Sequence, residues 1–89
     1  MIQQELEIIN KLGLHARAAA KLVKLSSSFS ANINIEKDGQ RVNSKSIMGV
    51  MMLAASKGTS LVITTRGNDE NDAAVQLEEL VQGKFGEAE

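Results

Sequence analysis

Ile2, Leu6 and Ile8 share one parity while Gln3, Glu5 and Glu7 share the other, the period-two pattern of a strand with one buried face. Gly13 ends that strand, and from Ala16 the period changes. Ala18, Leu22, Leu25 and Phe29 form a helical ladder with Ala19 and Val23 beside it, and Arg17, Lys21 and Lys24 lie opposite. Alternation returns with Ala31, Ile33 and Ile35 against Asn32, Asn34 and Glu36, and Asp38-Gly39 is a tight-turn pair leading into a short third strand around Arg41 and Val42. The apolar run from Ile47 to Ala55 reads as a second, shorter helix with Ser46 as its N-cap, Gly49 inside it and Gly58 just past its end. Leu61, Ile63 and Thr65 alternate in a fourth strand that Gly67-Asn68-Asp69 closes. A third helix follows, capped by Asn68 or Asp69 and turning Ala73, Leu77, Leu80 and Val81 inward as far as Gly83. The tail from Lys84 to Glu89 is expected to fray.

The order is therefore β-α-β-β-α-β-α, an α+β pattern. Half-buried strands with amphipathic helices call for two layers, one sheet with helices on one face, while the order of strands in the sheet stays open at this level. At 89 residues the chain suits a single domain, residues 1–89, around one core.

Composition removes several classes of function. No cysteine is present, so thiolate catalysis, disulfides and cysteine metal sites are out, in keeping with a reducing compartment. With a single histidine, no metal site is expected. Ten basic and eleven acidic residues nearly cancel, and the only aromatics are Phe29 and Phe85. A nucleic-acid platform, which needs basic excess and stacking rings, is disfavoured. No apolar run is long enough to span a bilayer and the N-terminus lacks the layout of a secretion signal, so a cytoplasmic protein without membrane insertion is expected.

What remains is local chemistry at residues 13–17, Gly-Leu-His-Ala-Arg. His15 stands where a strand gives way to a helix whose first turn offers unpaired N–H groups and a partial positive charge. Arg17 adds a planar guanidinium suited to phosphate oxygens. A nucleophile, an anion cradle and a cation thus fall together, and the positive pole of the helix favours the neutral imidazole that attack on phosphorus requires.

Two segments, Gly13-Leu14-His15-Ala16-Arg17 and Val42-Asn43-Ser44-Lys45-Ser46-Ile47-Met48-Gly49-Val50-Met51, resemble the histidine-containing phosphocarrier (HPr) family of the bacterial phosphoenolpyruvate-dependent phosphotransferase system. The resemblance continues through Lys57-Gly58 and Asp69-Glu70. It implies a two-layer open-faced β-sandwich, an antiparallel sheet in the order 1-4-2-3 with three helices on one face. It further implies that His15 takes a phosphoryl group on Nδ1 from phosphorylated Enzyme I and passes it to IIA-type domains, that Ala16 and Arg17 bind the phosphate, and that Ser46 is a regulatory phosphorylation site for a serine kinase/phosphorylase. A carrier of this sort needs no cofactor and is expected to be a monomer. Ala18 occupies the place where the family usually has proline; alanine is the best helix former, so transfer rate rather than competence is at stake. Asn10-Lys11-Leu12-Gly13 is closer to the nitrogen-related branch, which makes that branch the alternative output. A purely regulatory protein-binding module acting through the Ser46 surface is the other alternative, and the intact His15 and Arg17 argue against it.

The partner surface is read from the same helices. Lys21 and Lys24 extend the basic stripe from Arg17 and would steer an acidic partner towards His15. A helix as short as the second cannot bury all of Ile47, Met48, Val50, Met51, Met52 and Leu53, and the resemblance implies that Ile47, Met48 and Met51 form a docking face, where adaptable methionines suit several partners. Ser46 has a structural role available as well, since a serine N-cap stabilises a helix by about 1 kcal/mol.

Overall fold

In the computed structural model, which describes residues 1–89, strand β1 (Ile2–Glu7) leads through a loop into helix α1 (Ala16–Ser27). Strands β2 (Asn32–Lys37) and β3 (Gln40–Asn43) form a hairpin, helix α2 (Ile47–Met52) precedes β4 (Ser60–Arg66), and helix α3 (Glu70–Gln82) is followed by a 3-10 turn at Lys84–Gly86. The hairpin turns on Asp38 and Gly39, both at positive φ (50° and 83°), as a two-residue turn matched to strand twist requires. All pairings are antiparallel, and the sheet order is β1-β4-β2-β3. β4 is thus central, flanked by β1 and β2.

Register explains why the alternation is so clean. Leu61 lies opposite Leu6, Ile63 opposite Ile35, and Thr65 opposite Ile33, so the inward residues of three strands form one apolar strip. That strip packs with Ala18, Ala19 and Leu22 of α1, Val50 of α2, and Ala73, Leu77 and Val81 of α3 in one hydrophobic core. The α1 ladder departs from expectation at one step. Leu25 and Phe29 are only partly buried, whereas Ser26 is fully buried and pairs with Ser44 through their hydroxyls at 2.5 Å.

Helix α2 ends at Met52, short of the expected Ala55. Its last turn tightens instead, with the Leu53 and Ala54 N–H groups donating three residues back to the Val50 and Met51 carbonyls at 3.2 and 3.1 Å, and the residues beyond are tied to other parts of the chain. Leu14 N–H donates to the Ala55 carbonyl at 2.8 Å, and Lys37 Nζ donates to the Leu53 and Ala54 carbonyls at 2.9 and 3.4 Å. Ala54 takes φ 50° there, and Gly58 lies farther on, at the turn into β4.

The tail corrects a second expectation. Instead of fraying, residues 84–89 fold back over the start of α1. Phe85 is 1 % exposed in the core, Lys21 Nζ donates to its carbonyl at 2.6 Å, and Lys11 N–H donates to the Glu89 carbonyl at 2.5 Å. A polar composition hid the one aromatic ring that makes docking favourable.

Asp69 is the N-cap residue of α3, yet its side chain makes no capping bond. It accepts the Ser30 and Ala31 N–H groups, both at 2.8 Å, and so ties the start of β2 to α3. The Ser30 N–H in particular holds this carboxyl below its ordinary 3.8, with burial opposing and Ala31 N–H assisting. A depressed carboxyl stabilises the fold in full above its unfolded value, and that contribution is lost as pH falls through the lower folded value. Thermal unfolding across pH should therefore show Tm dropping below about pH 4, and Asp69→Asn should lower Tm at neutral pH while flattening that acid dependence. An unchanged acid limb in Asp69→Asn would show that the tie contributes nothing.

Candidate functional site

Gly13 is what brings the loop before α1 to its place. Its φ is 66°, and a Cβ there would lie 2.6 Å from the Ala55 carbonyl oxygen and 2.8 Å from Ser56 Cα. Only glycine fits both the backbone conformation and this approach. Leu14, buried next to it, then anchors the chain so that His15 becomes the N-cap residue of α1, in extended conformation (φ −71°, ψ 178°).

His15 gives its carbonyl to the Ala19 N–H at 2.8 Å, and its ring makes no capping bond. The N–H groups of Ala16, Arg17 and Ala18 consequently have no partner within the chain. No acidic side chain occupies the first turn of α1, whereas α3 carries Glu70 and Asp72 in its own. The contrast matters: in α3 the positive pole is already answered, and in α1 it is left for an external anion. The Arg17 side chain makes no ion pair and lines a cleft with Lys11, Leu12, His15 and Ala16.

Glu87 closes one wall of that cleft. Its carboxylate hydrogen-bonds His15 Nε2 and accepts from Asn10 Nδ2 at 2.9 Å. Asn10 is fully buried, and the same Nδ2 donates to the Gly13 carbonyl at 2.8 Å. Because both partners are acceptors, the amide nitrogen must face them, and Asn10 Oδ1 is left buried with no hydrogen-bond partner. The His15 contact first, and the Asn10 N–H second, hold the Glu87 carboxyl below its usual value against the opposing effect of burial. Neither Asn10 nor Glu87 was legible as a site residue. Asn10 had a weak local signal, an amide three residues before a positive-φ glycine. Glu87 had none.

The remaining candidate residues fall into separate places. Ser46 is the N-cap of α2, and its Oγ accepts from Gly49 N–H at 3.2 Å. Ile47, Met48 and Met51 are exposed to 39 %, 72 % and 45 %, and Met52 and Leu12 are exposed as well. The residues that α2 does bury are few, Val50 within it and Leu53 at its C-cap. Lys24 points to solvent, whereas Lys21 is occupied in holding the Phe85 carbonyl. Ala16 and Arg17 adjoin His15 in the cleft. No group of acidic or histidine side chains is arranged to hold a metal ion, and no helix is long and apolar enough to cross a membrane.

This chain is similar in sequence and fold to known proteins. A family model described as the PTS HPr component phosphorylation site matches residues 2–83. Phosphocarrier protein HPr of Neisseria meningitidis serogroup A is 52 % identical over 89 residues, with both chains covered in full. Its counterpart in Cupriavidus necator is 48 % identical, again over the whole of both chains. The crystal structure of HPr-C-His from Thermoanaerobacter tengcongensis superposes with a TM-score of 0.97 at 46 % identity, covering all of each chain. The residues matched by the family model stop before the tail that carries Glu87.

Proposed function

Since this chain belongs to the HPr family of phosphocarrier proteins, phosphoryl carriers rather than catalysts, we propose that it acts as one cytoplasmic domain of residues 1–89 that accepts a phosphoryl group on His15 from phosphorylated Enzyme I and passes it to IIA-type domains. The observation that carries this reading is the pairing of His15 with three unpaired N–H groups in the first turn of a helix that has no acidic residue there. Arg17 and the Ala16 N–H bind the phosphate oxygens. Charge spread over those oxygens during transfer is met by donors already in position, which is most of what phosphoryl transfer asks of a protein.

Partners dock on the exposed apolar residues Ile47, Met48 and Met51, with Lys24 steering acidic surfaces; Lys21, held by the tail, contributes charge at a fixed place. Brief contacts that reuse one surface suit a carrier that must both receive and give. The test is incubation with phosphoenolpyruvate and Enzyme I: one acid-labile phosphoryl group per chain is expected, and none would overturn the reading.

Ser46 is proposed as a regulatory phosphorylation site, and its two roles separate by substitution. Ser46→Ala removes the oxygen that Gly49 N–H donates to, so it should cost about 0.5–2 kcal/mol of stability while leaving the rate of phosphorylation by Enzyme I nearly unchanged. Ser46→Asp keeps an acceptor and answers the helix dipole, so its Tm should match or exceed the parent's. Its charge, however, sits next to exposed Ile47 and Met48, where an acidic partner is repelled and apolar contact must close over an anion. Stability and transfer rate thus move in opposite directions across the pair. An Asp variant that accepts phosphate as fast as the parent would leave Ser46 as a helix cap only.

A further inference from the structure

Three successive residues at positive φ, Lys84 (57°), Phe85 (55°) and Gly86 (80°), reverse the chain at the end of α3. The reversal delivers the Glu87 carboxylate to His15 Nε2, across 72 residues of sequence. Left-handed backbone at two non-glycine residues is unfavourable, and so is the orphaned Oδ1 of buried Asn10. Both unfavourable features serve the same contact, one by bringing Glu87 there and the other by turning an N–H towards it.

We propose that Glu87 is a positioning residue for His15: its carboxylate keeps the imidazole proton on Nε2, leaving the Nδ1 lone pair to bond phosphorus, and retains that proton on the ring while the phosphoryl group is carried. This rests on the reading of His15 as the phosphoryl acceptor. An ionised carboxylate can only accept, so a neutral ring facing it must present Nε2–H, and the lone pair then belongs to Nδ1. Nδ1 makes no hydrogen bond to the protein.

The step balances without moving a proton. The Nδ1 lone pair forms the N–P bond as the bond from phosphorus to the donor protein's phosphorylated group breaks, its electron pair leaving with the donor. The ring becomes a phosphorylated imidazolium that still carries Nε2–H, with the Glu87 carboxylate next to its positive charge. In onward transfer the N–P bond breaks, the pair returns to Nδ1, and neutral imidazole departs. Had Nε2–H been lost, the leaving group would be an imidazolate anion, a far poorer one. The surrounding charges do not replace Glu87: Lys11 and Glu89 pair with each other at 3.4 Å, Lys21 is bound to the Phe85 carbonyl, and Arg17 is cationic.

The test uses the full chain labelled with 15N. The parent's neutral His15 should show one tautomer, protonated at Nε2, and Glu87→Ala should show a mixture. Phosphorylation by Enzyme I should slow by about ten- to a hundredfold, the scale of loss when the carboxylate behind a metal-binding histidine is removed. Glu87→Gln, which keeps the side-chain length without the charge, should slow transfer in the same direction, and the Phe85 ring signals report that the tail remains seated. An unchanged tautomer in Glu87→Ala, or a parent-like rate in both variants, overturns the inference while phosphorylation of the parent still stands. A parent that accepts no phosphoryl group overturns instead the reading of His15.

Discussion

His15→Ala should abolish acceptance of the acid-labile phosphoryl group altogether. No other imidazole exists in the chain, and the unpaired N–H groups of the first turn of α1 can offer an anion hydrogen bonds but no nucleophile. The loss should come with the fold intact, because His15 is partly exposed and its backbone, not its ring, caps α1. The ring's one hydrogen bond goes to Glu87, so the variant should also release that carboxyl towards its ordinary titration range. Phosphorylation by Enzyme I, thermal unfolding and the carboxyl 13C titration of Glu87 measure the three parts. Acid-labile phosphate that persists in His15→Ala would move the acceptor elsewhere and remove the basis of the proposed function.

Phe85→Ala should be the most destabilising single change. Truncating a buried phenylalanine typically costs about 3–5 kcal/mol, and Phe85 is 1 % exposed within the core. Against it stands the left-handed backbone of Lys84 and Phe85, which costs roughly 1–2 kcal/mol per residue. The ring therefore outweighs the backbone it demands by a narrow margin, and without it the turn has little to hold it. Tm should fall by on the order of 15 °C. Residues 84–89 should lose protection from amide exchange before the sheet does, and the His15 contact with Glu87 should go with them. A Tm within a few degrees of the parent's would mean that the tail adds nothing to the core.

The helix start at His15 was legible because both of its signals are local. Alternation stops at Gly13 and helical period begins at Ala16; the collision that any other residue at 13 would make with the Ala55 carbonyl appears only in the folded chain. That some apolar residues of the second helix would be exposed was legible from its shortness, and Ile47, Met48, Met51 and Met52 are the ones left outside. Asp69 was legible only as a cap. Its true partners, Ser30 and Ala31, lie almost forty residues away, and they take both carboxylate oxygens that a cap would have used.

By itself the sequence determined the kind and order of the elements, the face that each buries, and the placing of its one histidine at a helix start with unpaired N–H groups. These follow from the period of apolar positions and from the unpaired N–H groups of a helix start, which are properties of a few consecutive residues. Tertiary structure alone decided the rest. Half-buried strands are interchangeable in pattern, so the insertion of β4 between β1 and β2 depends on which pairing aligns Leu6, Leu61, Ile63 and Ile35 over one core. The end of α2 was decided by the left-handed turn at Ala54 and by the ties of the residues after the helix to Lys37 and Leu14. The docked tail, and with it the Glu87 carboxylate on His15, was decided by the burial of Phe85 against residues distant in the chain. Contacts of long sequence separation leave no local period to read; they exist only once the folded core provides a cavity for one ring and a partner for one carboxylate.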